Sequence, residues 1–429
     1  MENIKFLKFS KTFFKNTTSA KRLLKKIVAS ATAVLSLAFP NATALANNFS
    51  IPQQSANIIS YKKSQVDEYE DILTEIRNMS DKEIKEKVAQ ARKKHWKLWE
   101  YYEKDMQYLY MGYGDRFDYE NASDKDLAAD KQGLSIYMHL DAFFKKYPEY
   151  FNSFPDDFFS ETIDALELSD TEVTNKIEEE KERFKKLGTS EGIQHFEIED
   201  EIENSVNPKI FLLSIRKLNN ILEKYSKLTD TMLNVLKRNN AAFRINSFDP
   251  NDEDGTTYVD MYTEYCRNEH ETFAISLSKT LLNDTEYLYK SRLIGNLDGF
   301  DCYVEKNELI PSIIAHETGH VFEFLMFDAA LGVASSHNLK LEKTFYEDFD
   351  NKMKEKIIET SKEKYGAGDA KVSKYAEKNS TEWFAEVFAN LECANEENIS
   401  PYGKALRDIL NNMTFKEFES LVLEICNQN

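Results

Sequence analysis

Cysteine is scarce in this chain: there are four in 429 residues, too few for a disulfide-dense framework. Thirteen glycines and eight prolines exclude a collagen-like or Gly/Pro-rich low-complexity architecture. Apolar runs are short. The run from Ile27 to Phe39 covers 13 residues, below the ~20 that a spanning helix needs. Basic charge is in deficit, with 55 Lys and Arg against 74 Asp and Glu and a formal net charge of −19. The first 46 residues hold eight Lys/Arg and one acid, so the remainder stands at −26. So acidic a body argues against nucleic acid or an anionic membrane as the main partner. What is present, 41% hydrophobic and 30% charged residues, suits a soluble globular protein with one or two cores.

The N-terminus is basic from Lys5 to Lys26, then apolar from Ile27 to Phe39. Ala44-Leu45-Ala46 follows as a small-x-small cleavage pattern. Residues 1–46 therefore read as a secretory signal peptide, which predicts a secreted protein with no stable membrane anchor after cleavage. No cysteine lies near the cleavage site, which argues against a lipid anchor. Export permits disulfides without requiring them: Cys266, Cys302, Cys393 and Cys426 allow three pairings or none.

Residues 47–65 are polar and aperiodic, as in a disordered N-terminus. Residues 66–207 read as a helical domain of unknown role. Ile72, Ile76, Met79, Ile84 and Val88 form a helical stripe. The aromatics between Trp96 and Phe159 read as core. The charged helix Thr171–Leu187 reads as a solvated face. Gly188–Gly192 and the acidic stretch up to Asn207-Pro208 mark a boundary, and 208–429 forms a second domain. There, helices are expected at Ile210–Tyr225 and Asp230–Arg238, with a strand at Ala242–Ile245. Alternation of Phe273, Ile275 and Leu277 with small or polar residues predicts another strand, and Phe273–Lys279 is the expected sheet edge. The expected fold class is α+β, mostly helical, with a small mixed sheet.

The chemistry concentrates in His316-Glu317-Thr318-Gly319-His320, an H-E-x-x-H pattern inside an apolar, helix-like stretch. Residues four apart lie one turn apart on one helix face, so both imidazoles can hold a single metal ion. Glu317 sits beside them as candidate general base. The bland alternative is two structural histidines on a buried helix. Gly319 costs up to ~1 kcal/mol of helix stability relative to Ala, which makes sense if another backbone packs closely there.

Two histidines, one carboxylate and an open position suit one Zn2+ ion. Glu382 and Glu386, at i and i+4 of a downstream helix, are the candidate carboxylates. Like charges at that spacing repel by ~0.2–0.5 kcal/mol unless a cation or an imidazole intervenes. Glu382 is read as the third ligand and Glu386 as the residue that accepts from a ligand histidine. Against this, Glu382 can be a capping-box glutamate behind Asn379, and Glu386 an exposed charge. Asp369, Glu392 and His337 are weaker candidate ligands.

These residues resemble the gluzincin zinc peptidases of the anthrax lethal factor type, including the secreted clostridial Pro-Pro endopeptidases. The match lies in His316-Glu317-x-Gly319-His320 and Glu382-Trp383-Phe384-Ala385-Glu386-x-Phe388, and it covers roughly 208–429. The resemblance implies a zincin-like catalytic domain acting on a protein or peptide substrate, with Glu382 as third zinc ligand. It also implies an oxyanion-stabilising tyrosine seven residues before that glutamate, where this chain has Tyr375. From His320 to Glu382 the chain advances 62 residues, longer than in the family, as an insertion around Ala334–Lys374 would produce. The competing class is a non-enzymatic exported binding or effector protein on a peptidase-like scaffold. Substrate, cleavage motif and oligomeric state are not legible in the sequence.

Overall fold

A computed structural model describes residues 65–94, a few positions between 127 and 142, 168–248 except 201, 261–265, 271–279, a few positions from 282 to 296, and 299–428 except 343 and 368–370. The expected signal peptide at 1–46, the stretch that follows it to 64, most of the aromatic region 96–159, Cys266 and Asp369 lie outside the described residues. Among the described residues Cys302, Cys393 and Cys426 are free thiols. None of the described helices is long and apolar enough to cross a membrane.

The chain is mostly helical with small sheets, an α+β composition. Helices α1 (Gln65–Arg77) and α2 (Asp81–Lys94) come first, and they bury Leu73, Ile76, Ile84 and Val88. Helix α3 (Asp170–Leu187) starts at a reciprocal capping box between Ser169 and Glu172. Val173, Ile177 and Phe184 form its buried face. Strands β1 (Thr189–Ser190) and β2 (Ile193–Gln194) make a hairpin whose turn residues, Glu191 and Gly192, both have positive φ, as a tight hairpin turn requires.

A four-stranded mixed sheet follows, in the order β3 (Phe196–Ile198), β4 (Ala242–Phe248), β6 (Glu271–Ser278), β5 (Met261–Tyr265). The first three strands run parallel and β5 pairs antiparallel to β6. Between β3 and β4 come the short α4 (Ile202–Ser205), then α5 (Pro208–Lys224) and α6 (Ser226–Asn239). Pro208 supplies the first turn of α5, where no backbone N–H is needed, and Asn207 caps it. Phe184, Phe196 and Phe243 form an aromatic cluster between α3 and the sheet, with ring centroids 5.0 to 5.7 Å apart. Residues 170–206 thus share one hydrophobic core with 208–425, on both sides of the boundary expected at 207/208.

The expected edge strand is corrected. Strand β6, which contains Phe273–Ser278, lies between β4 and β5, and the edges among the described strands are β3 and β5. Both faces of β6 are buried: Phe273, Ile275 and Leu277 on one side, Ala274, Ser276 and Ser278 on the other. The alternation of large with small residues therefore reflects tight packing on the second face, not exposure to solvent.

The remaining helices are α7 (Pro311–Ser336), α8 (Phe345–Tyr365), α9 (Ser380–Cys393), α10 (Pro401–Asn412) and α11 (Phe415–Gln428). Helix α7 is buried around most of its circumference, packing on α9, α5, α11 and β5. It packs tightly against α9 at Gly319. A Cβ there would stand 3.0 Å from Ala385 Cα and 3.2 Å from Phe388 Cβ, so the missing side chain lets the two helices meet.

Candidate metal centre

Local structure places the first two residues. Helix α7 begins with Pro311 at N1 and continues unbroken through the motif, so His316 and His320 lie one above the other on one face. Their ring centroids are 4.9 Å apart and their Nε2 atoms 3.2 Å apart. Tertiary packing supplies the third. Helix α9 is capped by Asn379, whose side chain accepts from the Glu382 N–H at 2.7 Å. The Glu382 carboxylate turns instead towards the histidines: Oε2 lies 3.1 Å from His316 Nε2 and 3.4 Å from His320 Nε2. The Asn379 cap is thus present, but the Glu382 carboxylate faces the histidines and does not close a capping box.

His316, His320 and Glu382 form a group that can hold a metal ion, with one ligand atom from each lying within 4.8 Å of the others. The donor chemistry fits a cation. Glu386, one turn further along α9, lies 2.9 Å from His316 Nδ1 through its Oε1. A carboxylate only accepts, so His316 Nδ1–H donates to Glu386, and in the neutral ring the Nε2 lone pair faces the centre. With both imidazoles neutral, two nitrogens and a carboxylate oxygen converge without a donor between them, a gap that either a proton or a positive ion fills. Glu386 is 4% exposed, so it is no surface charge, and its Oε2 accepts from the Cys302 N–H at 2.7 Å.

Glu317 points to the other side, towards β5. Thr263 Oγ1 lies 2.7 Å from Glu317 Oε2 and 3.0 Å from the Glu317 carbonyl. Tyr375 occupies a short 3-10 turn, Tyr375–Glu377, ahead of α9. Its backbone N–H donates to Phe300 O at 2.9 Å, and its hydroxyl donates to Glu382 Oε1 at 3.3 Å. His316, His320 and Glu382 thus meet at one point, with Glu386 and Tyr375 hydrogen-bonded to them and Glu317, beside His316 on α7, turned towards Thr263.

The electrostatics are those of a desolvated polar cluster. Burial alone would lower the His316 pKa, but its hydrogen bonds to Glu382 and Glu386 outweigh burial and raise it to about 9. His320 is raised as well, against burial, by Glu323 and Glu382. Burial works against the Glu382 charge, yet the two imidazoles hold its carboxyl well below the usual range. Glu386 is lowered despite burial, by His316 and Cys302. A bound cation satisfies the same lone pairs that these protons satisfy. Burial raises Glu317, with both imidazoles and Thr263 opposing it.

Two weaker ligand candidates are engaged elsewhere. His337 lies 2.9 Å from Glu419, and Glu392 accepts from Lys224 and from the Tyr225 hydroxyl. Thr263, Glu323 and Asp350 went unnoticed in the sequence. Glu323 left a signal, an acid inside the apolar run Val321–Phe327 three residues after His320. It is 2% exposed and faces Asp350 of α8. Burial together with the neighbouring Glu323 carboxyl pushes Asp350 up to about 9. Thr263 and Asp350 had no local signal.

Comparisons with protein-family models, curated proteins and solved structures find no match to this chain.

Proposed function

We propose that this chain is an exported zinc-dependent endopeptidase of the gluzincin kind, hydrolysing peptide bonds in a protein substrate. One observation carries the reading: His316 and His320 converge with Glu382, from a helix 62 residues downstream, while Glu317 and Tyr375 flank them. Structural histidines do not require such convergence. Two imidazoles and one carboxylate are the donor set of catalytic zinc. When bound, zinc would supply Lewis acidity to a water molecule and to the scissile carbonyl.

The protein residues do the rest. Glu317, with Oε2 held by Thr263, receives the proton of the attacking water on its other oxygen and returns it to the leaving amine. Tyr375 donates its hydroxyl hydrogen to the oxyanion as that charge develops. Glu386 fixes the orientation and tautomer of His316. Strand β5 lies beside α7 at the sheet edge, where an extended substrate can add as a further strand.

The test compares the parent protein with Glu317→Gln against a diverse peptide library that includes proline-rich members, read by mass spectrometry. Cleavage by the parent, a rate at least about 100-fold lower in the variant and equal zinc content in both are expected. Zinc-loaded parent protein that cleaves nothing, including whole secreted proteins, would remove the peptidase reading and favour a binding protein on the same scaffold.

A further inference from the structure

Three buried side-chain atoms beside the centre have no hydrogen-bond partner: His320 Nδ1, Glu323 Oε2 and Asp350 Oδ1. Two of them belong together. His320 Nδ1 and Glu323 Oε2 are 3.7 Å apart, and a movement of about 0.8 Å brings them to hydrogen-bond distance. The two ligand histidines are otherwise treated unequally. His316 has its outer nitrogen held by Glu386 at 2.9 Å, while His320 has only Glu323 within reach of its own. A ligand imidazole left free at Nδ1 can rotate or exchange tautomers, and either removes the Nε2 lone pair from the ion.

Glu323 is itself held from behind. The Asp350 carboxyl of α8 contacts Glu323 and also meets Tyr346 and Thr381, the last at 3.1 Å. Thr381 is the residue before Glu382, so the chain of contacts runs from one ligand helix to the other. Such a chain has a cost that core packing alone would not impose. Two acids are buried at 2% and 5% exposure where apolar residues would fill the space at no desolvation penalty.

We propose that Glu323 is the positioning residue of His320, accepting from its Nδ1–H, and that Asp350 holds Glu323 in that orientation. This assignment rests on the proposed metal centre. Each ligand histidine then has its own carboxylate, Glu386 for His316 and Glu323 for His320. It also gives the long segment between the two motifs a part in the centre, because Asp350 belongs to α8 within that segment.

The experiment is zinc affinity of the full chain, read by competition with a chromophoric chelator. Glu323→Gln keeps the size of the side chain and is expected to bind zinc about 10-fold more weakly; Glu323→Leu, without any acceptor, about 100-fold. Asp350→Leu is expected to weaken binding by a smaller factor. His337→Ala, remote from the centre and paired with Glu419, is the control. Melting of the metal-free proteins separates positioning from folding, since the metal-free Glu323 variants should be no less stable than the parent. Cobalt(II) in place of zinc adds a readout independent of affinity: its visible bands should shift in Glu323→Gln. Zinc held by both Glu323 variants as tightly as by the parent, with unmoved cobalt bands, would overturn the assignment. If Glu323→Leu does not fold, Glu323→Gln decides alone. A parent that binds no zinc would overturn the metal centre instead, so the two failures are distinguishable.

Discussion

Helices α3 and α5 meet through Arg183, Glu180, Arg216 and Glu223, and helices α7 and α9 meet through His316, Glu382 and Glu386. Both contacts pair acids with nitrogen donors at similar distances: Arg183 to Glu223 at 2.8 Å in the first, His316 to Glu386 at 2.9 Å in the second. They differ in solvent. In the first pair the side chains are 29% and 48% exposed; in the second they are 13% and 5%. Water competes for the Arg183–Glu223 pair, so it contributes about 0–1 kcal/mol. In the second contact water is largely absent, and a group that loses its partner becomes an uncompensated buried charge. Glutamates paired with nitrogen donors thus hold a surface together in one place and form a buried polar cluster in the other. Exposure, not composition, separates the two.

The comparison can be broken most forcibly through pH. Asp350 holds its proton up to about 9 in the folded metal-free protein, against an ordinary value of 3.8 in the unfolded chain. Between those values the folded state binds the extra proton, so stability falls as pH rises, by up to about 1.4 kcal/mol per pH unit for one proton. Urea unfolding of metal-free protein from pH 5 to 9 should show that fall, and Asp350→Asn should make it shallower, most visibly below pH 6.5, since His316 and His320 are also raised above 6.5 and add a fall of the same sign above it. A profile identical in both proteins would show that this acid is effectively solvated, like those on α3.

Next in size is Thr263→Val. A hydrogen bond to a charged group contributes about 1.5–3 kcal/mol, so kcat should drop roughly 10- to 100-fold with little change in KM. Thr263→Ser should restore most of the loss, as steady-state kinetics on the peptide found by library screening would show. Gly319→Val tests the packing that makes the α7–α9 contact dry. Its side chain meets Ala385 Cα, and overpacking of this kind costs about 1–3 kcal/mol, measurable as a lower melting temperature. The smallest effect is expected at the α3–α5 contact. A double-mutant cycle of Arg183→Ala and Glu223→Ala should give a coupling energy below about 1 kcal/mol. A larger coupling would erase the distinction between the two helix pairs.

Legibility followed the range of the contacts. Helix α7 and the shared face of His316 and His320 were readable because a 3.6-residue period fixes which neighbours coincide. The Asn379 cap was readable for the same reason, since a cap is satisfied within one turn. Glu382, Glu386 and Tyr375 could be named only by resemblance or by helical spacing, because nothing local says which distant histidine an acid will meet. The sheet edge was misread because the alternation around Phe273, Ile275 and Leu277 marks a strand without saying which strands pair on either side of it. Glu323 left a trace as an acid in an apolar run, whereas Asp350 and Thr263 left none.

The sequence by itself determined the helices, their caps and the pairing of two imidazoles on one face, all set by backbone geometry over a few residues. Only the tertiary structure decided that Glu382 closes the triangle, that β5 rather than β6 is an edge strand, that Thr263 holds Glu317, and that Glu323 and Asp350 stand behind His320. Those relations join elements tens of residues apart. They depend on how closely α7, α8, α9 and β5 pack and on how much water that packing leaves between them.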